Sequence, residues 1–298
     1  MKLNKVNYIV SHLIGGLGNQ MFQYAAGYAL SKRLGVALKF DISDFKEYKL
    51  HNGLEILRIF NCPFEYASQY EIEAILGRRT NFRLPDRAKL LAYNLLFPRN
   101  ILIDRYRIGE HFQNALAPAY MRGYWQDERY FRDYARDIRI IFSFSLALSD
   151  QSNLVLQKIL QGNSISVHVR RGDYVTNPKN VAYLGATPIS FYCSAIEYIA
   201  KKVDAPRFFV FSDDPEWAKS NIRTHYPTEY IDHNHGSCSF ADMQLMSRCS
   251  HHIIANSSFS WWGAWLNPDP RKLVVGPRTW FANPRRLDNP CPSEWTLL

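Results

Sequence analysis

The sequence predicts an α/β protein with parallel sheets of the Rossmann type. Two observations support this class, and a third indicates a boundary between two domains. Strand and helix patterns alternate from residue 164 to residue 275, a glycine-rich turn joins the first strand to the first helix, and polar turn formers interrupt the apolar periodicity between residues 143 and 163. Such alternation produces a parallel sheet, because a crossover helix is needed to bring each strand back in the same direction.

Length and composition are those of a globular protein with room for two cores. The chain has 298 residues, of which 47% are hydrophobic and 21% are charged, so disorder is not indicated. The polar interruption is the best domain boundary. We expect an N-terminal domain over residues 1–150, which contains the glycine-rich turn, and a C-terminal domain over residues 151–298.

The charge balance favours an anionic ligand. Lysine and arginine outnumber aspartate and glutamate by 36 to 27, which gives a formal net charge of +9. The basic residues are spread along the chain and no nucleic-acid-binding motif is present, so we predict no nucleic-acid partner. The five cysteines include no C-x-x-C pair, which is typical of reduced thiols in a cytosolic protein.

The apolar runs predict a cytoplasmic protein. The run that begins at Tyr8 leads into glycines rather than into a cleavage site. No run approaches the roughly 18 apolar residues of a membrane span. We expect a soluble protein, with peripheral contact at the inner membrane surface left open.

The first element is a strand over residues 6–14 that runs into Gly15-Gly16-Leu17-Gly18-Asn19-Gln20, followed by a helix over residues 21–34. Glycines let the backbone approach a phosphate or sugar, and a helix N-terminus offers free N–H groups. A dinucleotide fingerprint is the competing interpretation, because Asp41 closes the next strand about 20 residues on. Met21 at the third glycine position argues against it.

Residues 42–145 show weaker patterns. Helical periodicity is plausible over three segments, residues 68–76, 86–96 and 128–138. Between the last two lies an aromatic-rich segment, residues 120–127. Aromatic rings can pack on the C–H faces of a sugar, although core packing is the commoner role. We take Trp125, Gln126 and Asp127 as acceptor-side candidates.

Regular alternation follows the boundary. The predicted strands are residues 164–169, 207–211, 229–231, 251–255 and 273–275, and the predicted helices are residues 188–203, 215–222, 240–249 and 258–266. Ligands of such sheets bind at the carboxyl ends of the strands. This rule brings three segments into one cluster: Arg170-Arg171, Ser212-Asp213 and Asn256-Ser257-Ser258.

The strand that starts at residue 164 ends in two arginines, a glycine and an aspartate. Side chains alternate along a strand, so His168 and Arg170 share one face and Arg171 takes the other. A guanidinium fork matches two phosphate oxygens. We predict that Arg170 binds a phosphate. The alternative is a structural ion pair between Arg171 and Asp173 beside an ordinary buried histidine.

The third segment of the cluster predicts a diphosphate contact. Asn256, Ser257 and Ser258 lie at a strand-to-helix junction, where side chains and backbone N–H groups can face an anion and the helix dipole adds a favourable field. The alternative is a plain N-cap before a tryptophan-rich core helix. Neither a D-x-D triplet nor an H-x-x-E-like spacing is present, so we predict no dedicated metal site.

Four motifs together resemble one family. They are Gly15-Gly16-Leu17-Gly18-Asn19-Gln20-Met21-Phe22-Gln23-Tyr24-Ala25, His168-Val169-Arg170-Arg171-Gly172-Asp173-Tyr174, Phe211-Ser212-Asp213-Asp214 and Asn256-Ser257-Ser258-Phe259-Ser260-Trp261-Trp262. In order and spacing they resemble the bacterial α-1,2-fucosyltransferases of glycosyltransferase family eleven. The resemblance runs from about residue 12 to about residue 280.

The resemblance implies a GT-B-like fold of two facing Rossmann-like domains, with GDP-fucose bound by the C-terminal one. It implies GDP-β-L-fucose as donor, no required cofactor or metal, and inverting transfer to the 2-hydroxyl of a terminal β-galactose. The partners would be GDP-fucose and a galactose-terminated oligosaccharide, and a membrane-borne acceptor is left open. A role in building a surface polysaccharide would fit.

The resemblance also implies residue roles. Arg170 would contact the β-phosphate, Gly16 and Asn19 would lie near the pyrophosphate and fucose, and the diphosphate or nucleoside would be held by Ser257, Ser258 and Phe259. His168, Asp213 and Asn256 are further donor-side candidates. Asp173 is a candidate base, although holding Arg171 is an equal alternative. The competing functions are an NAD-dependent oxidoreductase and a non-catalytic glycan-binding module.

Overall fold

The computed structural model describes residues 7–48, 51–76, 101–104, 110–284, 286 and 288–298. The chain divides into two compact units, Met1–Ser145 and Leu146–Leu298. We call them unit 1 and unit 2.

Unit 1 contains a four-stranded parallel sheet with strand order β2-β1-β4-β3. Its strands are β1 (Tyr8–His12), β2 (Ala37–Asp41), β3 (Ile101–Ile103) and β4 (Ala119–Arg122). Its α-helices are α1 (Leu17–Leu34), α2 (Ile56–Ile59), α3 (Gln69–Leu76), α4 (Glu110–Gln113) and α5 (Ala135–Ile141). Short 3₁₀ turns cover Ser43–Lys46, Glu128–Tyr130 and Arg132–Tyr134.

Helix α1 begins four residues earlier than the sequence pattern predicts. Gly16 is the N-cap, and its carbonyl accepts from the backbone N–H groups of Asn19 and Gln20. The helix ends at Gly35, whose φ of 65° is the left-handed conformation that glycine adopts at little cost. Gly18, Asn19 and Gln20 therefore belong to the first turn of the helix rather than to the loop before it.

Two further predictions for unit 1 differ from the structure. Residues 119–122 form the buried strand β4, which the aromatic-rich composition concealed. The single helix expected over residues 128–138 is wrong, because the backbone of Phe131, with φ of −141° and ψ of 3°, separates two 3₁₀ turns before α5 begins. The predicted helix over residues 86–96 lies outside the described residues.

Unit 2 contains a six-stranded parallel sheet with strand order β10-β9-β8-β5-β6-β7. Its strands are β5 (Ser164–Val169), β6 (Arg207–Ser212), β7 (Thr228–Ile231), β8 (His251–Ile253), β9 (Val274–Gly276) and β10 (Thr296–Leu297). Its α-helices are α6 (Asp150–Leu160), α7 (Gly172–Thr176), α8 (Pro178–Tyr183), α9 (Ile189–Ala200), α10 (Pro215–Asn221), α11 (Phe240–Arg248) and α12 (Ser258–Leu266). One 3₁₀ turn covers Gly236–Cys238.

Strand β5 lies at the centre of the unit 2 sheet and is buried along its whole length. Ile165, Val167 and Val169 belong to one apolar core together with side chains of β6 and α9. The alternate residues point to the other face, where Ser166 bonds to His252 at 2.9 Å. A strand covered on both faces is typical of a parallel α/β sheet, and the end of β5 is consequently a fixed point for the residues that follow it.

The structure confirms the predicted fold class, α/β with parallel sheets. The strand and helix order predicted after residue 164 is also found, with boundaries that differ by a few residues. The helices α6, α7 and α8 and the strand β10 were not predicted, and α6 occupies much of the polar segment that was interpreted as an interruption. In the part of the chain that the structure describes, we find no helix long and apolar enough to cross a membrane.

Candidate functional site

The three predicted segments of unit 2 meet at the carboxyl edge of its sheet. Strand β5 lies between β6 and β8, and the pairing of Val169 with Ser212 brings the next residues of β5 and β6 side by side. Arg170 contacts Asp213, and the Tyr174 hydroxyl donates to the carbonyl of Asn256 at 3.2 Å. The predicted clustering is therefore observed.

Arg170 lies between two carboxylates and above an aromatic ring. Its Nη1 lies 2.9 Å from Asp213 Oδ2, its Nη2 bonds to Asp173, and its guanidinium carbon is 5.3 Å from the centre of the Tyr174 ring. Burial lowers the pKa of Arg170, but the charges of Asp213 and Asp173 outweigh it and raise the pKa above its ordinary value. The group therefore stays protonated, and two of its five N–H donors are engaged by these carboxylates.

Arg171 is held differently from its neighbour. Its Nε lies 3.1 Å from Asp214 Oδ2, and its guanidinium carbon is 3.8 Å from the centre of the Trp217 ring. An arginine stacked and paired in this way is an anchor for the loop. Of the two arginines, Arg170 is the one located beside the other predicted site residues.

The structural alternative predicted an ion pair between Asp173 and Arg171. In the structure Asp173 pairs with Arg170 instead. Its Oδ1 accepts from Arg170, and its Oδ2 accepts from Asn180 Nδ2 at 2.7 Å. The reason is local, since α7 begins at Gly172 and places Asp173 one turn beyond Arg170. Asp173 is thus hydrogen-bonded to Arg170, the residue that is predicted to bind a phosphate.

His168 is buried and electrically neutral. Only 5% of the residue is exposed, and Nδ1 has no hydrogen-bond partner among the described residues. Burial, reinforced by the charge of Arg170, lowers the pKa of His168 to about 3. Its ring centre lies 5.7 Å from that of Phe259. His168 Nδ1 is thus a buried polar atom that the described part of the protein leaves without a hydrogen bond, beside an arginine at the sheet edge.

The segment from Asn256 to Phe259 divides into buried and accessible residues. Asn256 is 2% exposed, and its side-chain amide is bonded to Thr187 and to three backbone carbonyls. Ser257 is the N-cap of α12 and accepts from the N–H of Phe259 at 3.3 Å. Ser258 and Phe259 are partly exposed. The N-cap alternative is therefore realised at Ser257, while a ligand can reach the first turn of α12.

Unit 2 also contains a polar cluster around Asp242 that the sequence analysis did not predict. Its Oδ1 accepts from Asn234 at 2.8 Å, Asn234 accepts from Ser152 at 3.0 Å, and the Ser152 hydroxyl lies 2.9 Å from His233 Nε2. Burial raises the pKa of Asp242 to about 7, against the opposing effect of Asn234. The available signal was an aspartate within the apolar run of residues 240–246.

In unit 1 the glycine turn is held by amide side chains. Gln20 donates to the carbonyls of Gly15 and Gly53, both at 2.8 Å, and accepts from two backbone N–H groups of residues 55 and 56. Asn19 accepts from Gln126 Nε2 at 2.7 Å. Gly16, Asn19 and Gln126 are partly exposed, so the predicted ligands of this turn lie together at the unit 1 surface.

The other two acceptor-side candidates are engaged with protein. Trp125 is 2% exposed, and its ring packs against Phe112 and Tyr130 with centre distances of 5.7 and 5.1 Å. Its ring faces are therefore covered, and stacking on a sugar is not available to it here. Asp127 caps the 3₁₀ turn at residue 128 and is paired with Arg129.

A second polar cluster in unit 1 was also not predicted. At the carboxyl end of β1, His12 Nε2 lies 3.0 Å from Asp44 Oδ2, and Arg122 Nη2 lies 3.6 Å from the same oxygen. The hydrogen bond to His12 lowers the pKa of Asp44, although burial opposes it. Asp41, expected to hold a ribose in the dinucleotide interpretation, accepts instead from Tyr120 and from the Ser43 N–H.

The geometry of unit 2 defines a class of protein. A parallel sheet that brings an arginine, a neutral histidine and a helix N-terminus to one edge is typical of a nucleotide-binding α/β domain. The sequence profile of Glycosyl transferase family 11 matches residues 2–297. The chain belongs to this family and is a glycosyltransferase.

The most similar relatives include two bacterial glycosyltransferases. An alpha-1,2-colitosyltransferase of Escherichia coli is 33% identical over 302 residues, covering 98% of this chain and 99% of that protein. The O-antigen biosynthesis glycosyltransferase WbnK of Escherichia coli is 35% identical over 287 residues, covering 91% and 94%. The human galactoside alpha-(1,2)-fucosyltransferase 1 is 28% identical over 147 residues, covering 46% and 40%.

Solved structures share the fold. The NodZ alpha-1,6-fucosyltransferase soaked with GDP-fucose matches with a TM-score of 0.54 and 17% identity, covering 91% of this chain and 95% of that one. The fucosyltransferase NodZ from Bradyrhizobium matches with a TM-score of 0.55 and 16% identity, covering 87% and 92%. The architecture is therefore GT-B-like. Membership of a glycosyltransferase family argues against both competing functions, an NAD-dependent oxidoreductase and a non-catalytic glycan-binding module.

Proposed function

We propose that this chain transfers L-fucose from GDP-β-L-fucose, with inversion, to the 2-hydroxyl of a terminal β-galactose in a glycan. The observation that carries the proposal is the position of Arg170. It lies at the end of the central strand of unit 2, remains charged, and sits beside the neutral His168 and near the first turn of α12.

In this proposal unit 2 holds the donor. Arg170 contacts the β-phosphate, and backbone N–H groups in the first turn of α12 contact the diphosphate. The partly exposed Phe259 offers a ring face to the nucleoside, and the neutral ring of the buried His168 lies 5.7 Å from the Phe259 ring on the donor side. Ser257 and Ser258 add hydroxyl groups. Asn256 acts by holding neighbouring loops, because its amide is already engaged with the protein.

The reaction explains why a guanidinium is placed here. The galactose oxygen forms a bond to the anomeric carbon while the bond from that carbon to the phosphate oxygen breaks, and GDP leaves with the bonding electron pair. Positive charge develops on the fucose ring and negative charge on the β-phosphate. Arg170 then stabilises the transition state more than the ground state, which is the requirement for faster turnover.

The proton of the galactose hydroxyl must also be removed. Asp173 is the candidate base carried forward from the sequence. Its two oxygens accept from Arg170 and Asn180, yet a carboxylate has about four lone-pair sites and can still accept a proton. Asp173→Asn should lower kcat while the donor KM changes little, and an unchanged kcat would remove Asp173 from the mechanism.

The acceptor and the sugar contacts are assigned to unit 1. Gly16 and Asn19 would contact the pyrophosphate and fucose, and Gln126, bonded to Asn19, would present its amide to a hydroxyl group. Asp44 adds a partly exposed carboxylate held by His12. We propose that Gln126 and Asp44 bind acceptor hydroxyls, and we leave the buried Trp125 and the paired Asp127 out of that site.

Transfer of colitose is the second candidate. The bacterial relative that is 33% identical over 98% of this chain is named an alpha-1,2-colitosyltransferase. Colitose is L-fucose without its 3-hydroxyl, so both donors offer the same diphosphate to Arg170. Discrimination depends on whether a protein group hydrogen-bonds the 3-hydroxyl, since a site built for a hydroxyl rejects the analogue lacking it by about 10⁴-fold or more.

The test is product analysis with each donor in parallel. The protein is incubated with lactose and EDTA, together with GDP-fucose or with GDP-colitose, and the products are identified by NMR. Fucosyl-α-1,2-galactose formed with the chelator present supports donor, linkage and the proposed independence of metal. Product from GDP-colitose alone would replace the donor in the proposal, and no product from either, with lactose or other galactosides, would refute it.

A further inference from the structure

Asp213 uses both carboxylate oxygens to hold the arginine pair. Its Oδ2 lies 2.9 Å from Arg170 Nη1, and its Oδ1 accepts from the backbone N–H of Arg171 at 2.8 Å. The side chain is 25% exposed and reaches these groups from the end of the neighbouring strand β6. One carboxylate therefore ties the arginine side chain to the backbone immediately after it.

Gly172 lies directly against this carboxylate. A Cβ added to Gly172 would stand 2.4 Å from Asp213 Oδ2 and 3.3 Å from Asp213 Cγ. The backbone of Gly172 is outside the left-handed region, and the residue is the first of helix α7. Alanine could adopt this conformation, so conformational freedom does not account for the glycine. The space that a side chain would need is filled by Asp213.

The contact cannot be relieved cheaply. A carboxylate oxygen is the end of a short side chain, but the two hydrogen bonds of Asp213 fix its position. Moving Oδ2 away from Gly172 by enough for a methyl group would lengthen or break the bond to Arg170. A methyl group at residue 172 is thus expected to act on the guanidinium through the carboxylate, because Asp213 and not Arg170 is the side chain that it would contact.

We propose that Asp213 is a positioning residue that fixes the orientation of the Arg170 guanidinium, and that residue 172 is glycine because Asp213 occupies the place of its Cβ. The catalytic consequence rests on the proposed function of Arg170. Asp213 would therefore not be a nucleotide ligand, as the sequence suggested. A second carboxylate free beside a diphosphate would repel it, whereas one engaged with two N–H donors is compensated.

Fixing the guanidinium matters because Arg170 has other orientations available. Without Asp213 the side chain would keep Asp173 and the Tyr174 ring as neighbours, and it could rotate about the remaining ion pair. A displacement of about 1 Å at a positioned catalytic group costs on the order of 10²-fold in rate. The loss falls on kcat more than on KM, because the bond to phosphate strengthens as the bond to GDP breaks.

A double-mutant cycle separates this proposal from ordinary destabilisation. The variants are Gly172→Ala, Asp213→Ala and the double variant, with Gly162→Ala as the matched control. Gly162 lies in the same unit, is exposed, and would place a Cβ at an ordinary 3.7 Å from Arg207 Cδ. Asp213→Asn is added because it removes the charge without opening space. Each variant is measured for kcat, donor KM and melting temperature.

We expect Gly172→Ala to lower kcat about ten- to a hundredfold in the wild-type background. In the Asp213→Ala background, where the space is empty, the same methyl group should change kcat by less than about twofold. Asp213→Ala and Asp213→Asn should each lower kcat about tenfold or more, with a smaller change in donor KM. Gly162→Ala should match the wild type.

The opposite results would overturn the proposal. An equal loss of kcat from Gly172→Ala in both backgrounds would show that the methyl group acts elsewhere, and a wild-type kcat for Asp213→Asn would remove its positioning role. If the wild type transfers neither sugar, the proposed function fails. The melting temperatures still test whether Asp213 occupies the space that a Cβ at residue 172 would need. Gly172→Ala should then lower the melting temperature by about 3 °C or more only while Asp213 is present.

Discussion

The largely desolvated carboxyl of Asp242 predicts an unusual dependence of stability on pH. Burial raises its pKa from 3.8 to about 7 in the folded protein. The folded state therefore holds the proton more tightly than the unfolded state does. Between pH 4 and pH 7 the unfolded chain ionises this group at no cost while the folded chain does not, so rising pH lowers the stability of unit 2. Above pH 7 the contribution is constant.

The size of the effect follows from the shift. A difference of about three pKa units corresponds to a penalty of about 4 kcal/mol in the free energy of unfolding at pH 8. The penalty falls to about 2 kcal/mol at pH 5 and to under about 1 kcal/mol at pH 4. Asp242→Asn replaces the carboxyl with a neutral group of the same shape, whose oxygen can still accept from Asn234. The advantage of this variant over the wild type should therefore grow by about 4 kcal/mol from pH 4 to pH 8.

The assay is urea-induced unfolding of both proteins across this pH range. Tryptophan fluorescence reports mainly on unit 2, because six of the seven tryptophans lie after residue 145. The amide N–H that Asp242→Asn leaves unpaired has a cost that does not depend on pH, so it does not affect how the difference in unfolding free energy changes with pH. The titration of His233 occurs in both proteins and cancels in the same difference. Asp269→Asn is the control, because Arg271 lowers the pKa of Asp269 and its removal should bring no gain at high pH.

If the difference in unfolding free energy between Asp242→Asn and the wild type stays constant from pH 4 to pH 8, the reasoning is refuted. Such a result would mean that Asp242 has the same affinity for the proton in both states. A carboxyl kept in a destabilising environment is more often found at functional sites than elsewhere, so the same variant should also be assayed for sugar transfer.

Three further outcomes are expected. Arg170→Ala should lower kcat by at least roughly 100-fold in a folded protein, because one preorganised cation is lost from the transition state, and near-wild-type kinetics would contradict its role. Gln20→Leu should destabilise unit 1 by about 3 kcal/mol or more, because four backbone groups lose their partner and three of these hydrogen bonds are buried; circular dichroism during urea unfolding measures this loss. Asn256→Asp should lower the melting temperature by about 5 °C or more, since a carboxylate would face three carbonyl oxygens, and calorimetry showing no change would argue against those contacts.

Much of unit 2 is readable from the sequence because its signals are local. Apolar strands, proline and aspartate at helix starts, and regular alternation predicted its strand and helix order. The rule that ligands bind at the carboxyl ends of parallel strands predicted from the sequence alone that Arg170, Asp213 and Asn256 lie together. Unit 1 was harder to predict, because the aromatic residues of β4 and the interrupted turns after residue 127 lack a clean period.

The pairing of charges could not be predicted from the same residues. From the sequence, Asp173 and Arg171 formed a reasonable pair, and Asp213 a reasonable ligand for the nucleotide. In the folded chain the short helix α7 brings Asp173 to Arg170, and strand β6 delivers Asp213 to the same guanidinium and Asp214 to Arg171. Asp213 and Asp214 follow a different strand from the two arginines, so their distances to the arginines depend on how the sheet is assembled.

The sequence by itself determined the parallel α/β class, the arginine at the end of the central strand and the family. Each of these depends on periodicity or on a run of neighbouring residues. Tertiary structure alone decided which amides support the glycine turn, which aspartate orients Arg170, why residue 172 has no side chain, and that the pKa of Asp242 is raised. Those properties depend on distances and on exclusion of water between segments far apart in the chain, and no local pattern encodes either.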